Sequence, residues 1–249
     1  MKKIIFLLLF LITLKGYTQI NNSMFSQDPI INLENFQKQK LYFGFYLGLN
    51  SFDFKIDYKT NQPIDILVKK STGFNVGLVA DLKLQEYISL RFEPGLYYST
   101  RDVIYPENYF SSATIEQRTR QVSSTYLHFP LLVKFLSVRT GNVRPYLLGG
   151  VSATLNLSSN SKSPDDNSNN LFRVKPWTTN YEMGFGIDFF SEYFIFSPSI
   201  RGVFGINDEL IRDNASSSFP NSIDANSSPY TSNIQSIKNR AVFINFTFH

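Results

Sequence analysis

The chain contains no cysteine. Disulfides, thiolate metal ligands, a cysteine nucleophile and lipid attachment through an N-terminal cysteine are therefore excluded. Histidine is nearly absent too: only His128 and His249 occur, so a three-histidine metal site cannot form within one chain. No Ser and Asp accompany His128 in a recognised catalytic arrangement, and a satisfied histidine inside the fold is the favoured reading of it. After residue 19 no apolar run approaches the ~18 residues of a membrane-spanning helix. An excess of one charge sign is also lacking. Setting aside Lys2, Lys3 and Lys15 leaves 21 basic residues against 20 acidic ones, which gives no footprint for nucleic acid. The run Arg118-Thr119-Arg120 is too short for a nucleic-acid patch. Two partial motifs fail on inspection. Asp165–Asn169 opens like a calcium loop, but Asn170 stands where Gly is needed and Pro176 where Glu is needed. Gly184-Phe185-Gly186 has neither the third glycine nor the helix of a dinucleotide fingerprint. No active site, cofactor or small-molecule substrate is expected.

What is present is aromatic residues and alternation. Phe and Tyr number 24 and 14, which suits strands and the interfacial girdles of a membrane barrel. Lys2 and Lys3 precede the apolar run from Ile4 to Leu14, and small and polar residues follow to Gln19. This is the pattern of a secretory signal peptide over 1–19. Residues 20–40 are polar and aperiodic and are expected to form a periplasmic lead segment. From Leu41 the period is two. Eight alternating runs are expected near 41–50, 73–84, 88–101, 122–137, 143–157, 179–190, 193–206 and 237–248, each close to the ~9–11 residues that cross a bilayer at a tilt. The spacers alternate long and short, as do the extracellular loops and periplasmic turns of outer-membrane barrels. The mean hydropathy of −0.14 does not oppose this, because lipid-facing and lumen-facing residues cancel in an average. Pro94, Pro130 and Pro198 fall inside runs, and each predicts a bulge or a strand end.

The expected fold is thus all-β: an eight-stranded antiparallel up-and-down transmembrane β-barrel over 41–249, in the outer membrane, with both termini periplasmic. One face of the runs carries Asp81, Lys83, Arg91, Glu93, Lys134, Glu182, Asp188 and Arg201. A charge facing lipid costs about 2–4 kcal/mol near the bilayer midplane, so these eight are placed inward, as a structural network of paired charges. A gated ion path is the less favoured reading of the same set. Glycines on this face are expected to make room for long Arg and Lys side chains.

Six stretches carry a resemblance: LYFGFYLGLNSFDFKI (41–56), GFNVGLVADLKLQEYISLRFEPGLYY (73–98), STYLHFPLLVKF (124–135), RPYLLGG (144–150), YEMGFGIDFF (181–190) and SIRGVFGINDEL (199–210). In this order and with these spacers, the chain resembles the PorT/SprT outer-membrane proteins of the Bacteroidota over roughly residues 33–249. The resemblance implies a small, non-enzymatic barrel required for type IX protein secretion and, in gliding relatives, for delivery of surface adhesins. Its implied partners are outer-membrane lipid and other proteins of the secretion machinery. Three other readings are open. One is a generic small barrel acting as adhesin, membrane stabiliser or minor channel. The second is a secreted soluble lipid-binding barrel with its apolar faces inward. The third, a secreted enzyme, rests on His128 alone.

Overall fold

The computed structural model describes residues 31–60, 65–107, 114–213, 228 and 230–249. The signal-peptide segment 1–19 and most of the lead segment lie outside the described residues. The strands, in chain order, are β1 (Leu41–Tyr58), β2 (Leu67–Lys70), β3 (Thr72–Gln85), β4 (Ile88–Phe92) and β5 (Gly95–Ile104), then β6 (Thr119–Leu136), β7 (Val143–Asn156), β8 (Trp177–Phe190), β9 (Ile195–Gly205) and β10 (Ile234–Phe248). Among the described residues two single-turn α-helices, α1 (Glu34–Gln37) and α2 (Ile115–Arg118), and a 3-10 turn at Asn167–Asn169 accompany them.

Every pairing is antiparallel, and the ring closes because β1 pairs with both β3 and β10. The ten segments make eight staves. β2 and β3 form one, interrupted at Ser71, and β4 and β5 form another, since both lie between β3 and β6. The break at Glu93-Pro94 has a local cause: Pro94 has no N–H for the ladder, and its carbonyl still accepts from the Leu78 N–H at 3.0 Å. At Pro198 the β8–β9 ladder lapses between the Gly186/Ser199 and Phe189/Phe196 pairs without a register shift. Pro130 behaves otherwise than expected, because β6 runs through it unbroken, with Pro130 opposite Ser152.

Alternation sorts the side chains onto two faces. Outward stand Leu41, Phe43, Phe45, Leu47 and Leu49 of β1, with Phe43 69% exposed, and the same face continues through Phe74, Leu78, Leu131, Leu147, Phe185 and Phe246. Nine residues of tilted strand give this band a height of roughly 20–25 Å, the thickness of a membrane barrel's apolar belt. Inward stand Asp81, Arg91, Lys134, Glu182, Asp188 and Arg201, all buried. The apolar-inward arrangement of a soluble lipid carrier is thereby overturned.

Several strands run further than the alternation predicted, and the segments read as loops at 51–58, 67–70 and 119–121 are strand. Beyond the band the pattern changes phase. On β1 the outward residues become Ser51, Asp53, Lys55 and Asp57, while Phe52 and Phe54 point inward and are buried. β10 mirrors this, with Arg240 and Lys238 opposite Asp53 and Lys55, and with Ile237 buried. Here the outside meets water, and the core has moved to the inside of the cylinder.

At the end carrying both described chain termini, Asn32 is tied to the barrel. The Asn32 N–H donates to Asn142 Oδ1 at 3.0 Å, its amide donates to the Phe190 carbonyl at 3.2 Å, and Arg139 Nη2 donates to the Asn32 carbonyl at 2.6 Å. Arg139 also lies over the Phe190 ring at 3.8 Å, a cation–π contact. His249 and Ile195 exchange backbone hydrogen bonds in both directions, at 3.0 and 3.1 Å.

Phe185→Arg places a cation in the outward band and is expected to destabilise the barrel in lipid vesicles by about 2–4 kcal/mol. Urea unfolding followed by the fluorescence of Trp177 measures it; an unchanged midpoint would contradict an outward belt.

Candidate functional site: the sealed lumen

The inward residues form layers along the axis. Nearest the terminal end, Lys134 Nζ sits 2.9 Å from each oxygen of Asp188, which also receives Ser197 Oγ and lies 3.2 Å from Arg144 Nη2. Lys134 Nζ also lies 4.0 Å from the centre of the Tyr146 ring. Beside it Arg91 forks onto Asp81, with Nε donating to Oδ1 at 2.7 Å and Nη2 to Oδ2. Arg91 Nη1 then reaches Glu93 Oε1 at 3.0 Å. The chain of opposite charges continues. Arg201 Nη1 lies 2.9 Å from Glu93 Oε2, and its Nε lies 3.2 Å from Glu182 Oε2. Glu182 Oε1 is 2.7 Å from His128 Nε2, whose other ring nitrogen is 2.8 Å from Thr154 Oγ1. At the close of β10, His249 Nε2 lies 3.6 Å from Asp81 Oδ2.

Seven of the eight residues anticipated from sequence are therefore buried in alternating contact. Lys83 is placed differently: it is half-buried and lines the terminal mouth with Tyr42, Ser89 and Arg144. Pairing is an energetic requirement here. Each ion withdrawn from water costs several kcal/mol, and the cost is offset only when a partner sits at close range. Arg91 is 0% exposed and answers both Asp81 and Glu93.

The next layer is aromatic. Tyr97 and Phe243 approach to 4.7 Å between ring centres, Phe52 and Tyr126 to 5.0 Å, and Tyr46 and Tyr97 share a hydrogen bond at 3.0 Å. Glycines make this layer possible in a way the sequence reading missed. A Cβ on Gly95 would lie 2.0 Å from Tyr46 Oη, and one on Gly186 would lie 2.4 Å from Tyr146. These glycines admit tyrosines, where room for Arg and Lys was expected. Arg101 stands above, with its guanidinium 3.7 Å from the Phe54 ring centre and Nη1 donating to Asn239 at 3.0 Å.

The loop end is closed by an apolar cap. Phe54, Val103, Val122, Ile234 and Ile237 of the strands meet Ile66, Tyr105, Phe172, Val174, Leu210 and Tyr230 of the connections. The connections after β7 and β9 join through the Val174–Leu210 bridge and the bond from the Lys175 N–H to the Glu209 carbonyl at 2.8 Å. Arg120, buried below the cap, donates to the Asn167 carbonyl and to Tyr230 Oη at 2.8 and 2.9 Å. The failed calcium motif is spent on this packing. Asn169 donates to Asp165 at 2.9 Å, and the Asn167 amide donates to Asp213 at 3.0 Å.

Arg101 and Glu209 were not singled out from sequence, and Arg120 was read only as part of a charge run too short for nucleic acid, because all three occupy segments read as loop or loop edge. The change of phase on β1 and β10 was the available signal. Glu209 is 2% exposed. Burial pushes its carboxyl up to about 7, against the opposing influence of the Arg101 guanidinium and Thr178.

A closed eight-stave ring with lipid-suited outer residues and ionised inner ones defines the β-barrel of an outer-membrane protein. The chain belongs to the outer membrane protein beta-barrel domain family, whose model matches residues 25–210. Among solved structures it is similar to OprG of Pseudomonas aeruginosa, at 15% identity and a TM-score of 0.42, covering 84% of this chain and 94% of that one. It is also similar to Neisserial surface protein A, at 10% identity and a TM-score of 0.40, covering 82% and 95%. Among curated protein sequences, none matches the chain.

Two outcomes follow from this site. Arg91→Leu leaves Asp81 and Glu93 without their shared cation and is expected to cost about 3–5 kcal/mol. Heat-modifiable gel migration should then show unfolding at a lower temperature, and an unshifted transition would refute the pairing. For Glu209 the folded-state carboxyl holds its proton more tightly than the unfolded one, so ionisation penalises the closed cap. Closure is strongest below about pH 4.5, weakens as pH rises through 7, and is constant above that. Intrinsic-rate-corrected hydrogen exchange over 206–213 should rise across this window by at most on the order of 100-fold. Glu209→Gln should remove the rise; a variant with the wild-type slope would exclude Glu209 as its origin.

Proposed function

We propose that this chain is a non-enzymatic, non-conducting accessory barrel of the outer membrane that assembles or stabilises a type IX secretion machinery. In this reading the signal peptide 1–19 is removed, both termini lie in the periplasm, and the cap faces outward from the cell. The eight charges anticipated from sequence serve structure: seven, four carboxylates and three cations, are paired inside the lumen with Arg144 and His128 as further partners, and Lys83 marks its periplasmic mouth.

The observation that carries the reading is the filled lumen. Ion pairs, an aromatic layer and an apolar cap follow one another along the axis, and each spans the cylinder with packed side chains. An eight-stranded barrel has an interior just wide enough for side chains, and their packing among the described residues supports a barrel that gives neither a polypeptide nor a hydrated solute a route. Activity then belongs to the outer surfaces and the two rims. The PorT/SprT-like segments supply the machinery; the sealed interior supports a supporting component over the conduit itself.

An in-frame deletion tests this directly. Secreted cargo should accumulate in the periplasm while outer-membrane composition stays normal, and the plasmid-borne gene should restore export. Purified protein in planar bilayers should give no steady conductance. Unimpaired cargo export in the deletion strain would refute the secretion role, and a stable solute-selective current would favour the minor-channel alternative.

A further inference from the structure

Outward cations are gathered on one side of the capped end. Lys55 of β1 lies directly opposite Lys238 of β10, and Arg240 lies opposite Asp53. Asp53 is 17% exposed and fixes two of the cations, with Arg240 Nη2 at 2.9 Å and Lys70 Nζ, reaching across from β2, at 3.3 Å. Asp57 lies 3.3 Å from Lys55 Nζ, and Asp102 lies opposite Lys69. With Asp65, which lines the same surface as Asp57 and Lys238, five cations meet four carboxylates. The excess is positive, and the side chains of Lys55, Lys70 and Arg240 remain about half exposed.

Their height decides what they meet. On β10, Val242 is the last residue of the apolar band, Arg240 is the next outward position and Lys238 the one after. On β1, Leu49 ends the band and Ser51, Asp53 and Lys55 follow. Counted along the tilted strands, the backbone of Arg240 stands roughly 5 Å, that of Lys238 roughly 10 Å and that of Lys55 roughly 15 Å beyond the hydrocarbon edge, and their long side chains can reach back to the level of lipid headgroups. Elsewhere around the ring, the outward positions just past the band are Thr100, Ser123, Thr125, Leu157 and Trp177. Over the next positions Lys175 stands beyond Trp177 and Asp208 beyond Ile206, one charge of each sign, whereas the β1–β10–β2 side carries several cations together.

We propose that Lys55, Lys238, Arg240 and Lys70 form a binding site for the phosphate of a glycolipid in the outer leaflet, with Asp53 as the residue that positions Arg240 and Lys70. Lys55 and Lys238 stand directly opposite each other, and Asp57 supplies one carboxylate for the two, so the pair keeps a net positive charge that a further anion would balance. Phosphate offers several acceptor oxygens to such a group, and Arg240 can bind it in a forked manner. The acyl chains of the same lipid would lie along Leu47, Leu49, Val242 and Ile244 directly below. The inference rests on the orientation proposed above.

Full-length protein in nanodiscs, read by native mass spectrometry, tests it. The nanodiscs contain phosphatidylcholine with either a phosphorylated glycolipid or its dephosphorylated form. The wild type should retain the phosphorylated lipid alone, and excess inorganic phosphate should not displace it. The K55Q/K238Q/R240Q variant should lose retention on the order of tenfold or more while still showing heat-modifiable migration, and D53N should lose part of it. Equal retention by the triple variant, or equal retention of the dephosphorylated lipid, would overturn the site. Displacement by inorganic phosphate would assign it to a soluble anion instead. Because the chain has no cysteine, K55C reports orientation independently. Labelling of intact cells by an impermeant maleimide, together with unchanged lipid retention in the triple variant, would sink this inference alone. Labelling only after the outer membrane is broken would sink the orientation and this inference with it.

Discussion

Ionised groups in this barrel have nowhere else to go. Lipid surrounds the staves over the apolar band, and the lumen is too narrow for bulk solvent, so each buried charge must find its counter-ion among the other inward side chains. Arg91 and Arg201 answer that constraint by bridging carboxylates from different strands: Asp81 and Glu93 for the first, Glu93 and Glu182 for the second. The pairs bind β3, the stave broken at Pro94, β8 and β9 across the interior, where the backbone ladder links only neighbours. A lost ladder bond at Pro94 or Pro198 is tolerable in a ring stapled from within.

The same constraint explains the order of the layers. Ion pairs occupy the section of the lumen encircled by the band of outward Leu, Phe and Ile. Further along, where outward residues become Asp53, Lys55 and Arg240, the inward ones become Phe52, Phe54 and Ile237. The polar side of the sheet simply follows the more polar of its two surroundings. Arg101 sits where the two regimes meet, with an aromatic face on one side and Asn239 on the other.

Much of this was legible in the chain. A two-residue period in eight runs is a local property of strands, so the ring, its antiparallel order and the inward set of charges could be read without coordinates. The rest depended on contacts distant in sequence. Strand was extended to Tyr58 and back to Thr119 by partners on β10 and β5, and the alternation there points the opposite way, which hides it from a search for one continuous apolar face. Which carboxylate meets which arginine follows from register, and register is set by the closed ring. Lys83 shares a face with Asp81 yet stops at the mouth, because its position along β3 is fixed by its ladder with β4 and β1. The glycines were read as space for cations. At Gly77, Gly95 and Gly186 the occupants are Tyr46 and Tyr146, which only the folded packing reveals.

The exchange of apolar and polar character between the two faces along β1 and β10 has an evolutionary corollary. Over residues 41–49 the odd positions are free to exchange one oily residue for another, and the even ones are held by specific partners. Past residue 51 the inner positions must still fit a tightly filled interior, but the outer ones are released from any demand for greasiness. The two halves of one strand are thus under different rules of acceptable replacement, and divergence among descendants should accumulate on the water-facing parity of the upper half first. A lineage could remodel what this protein presents to its surroundings while leaving untouched the part that keeps it in the bilayer.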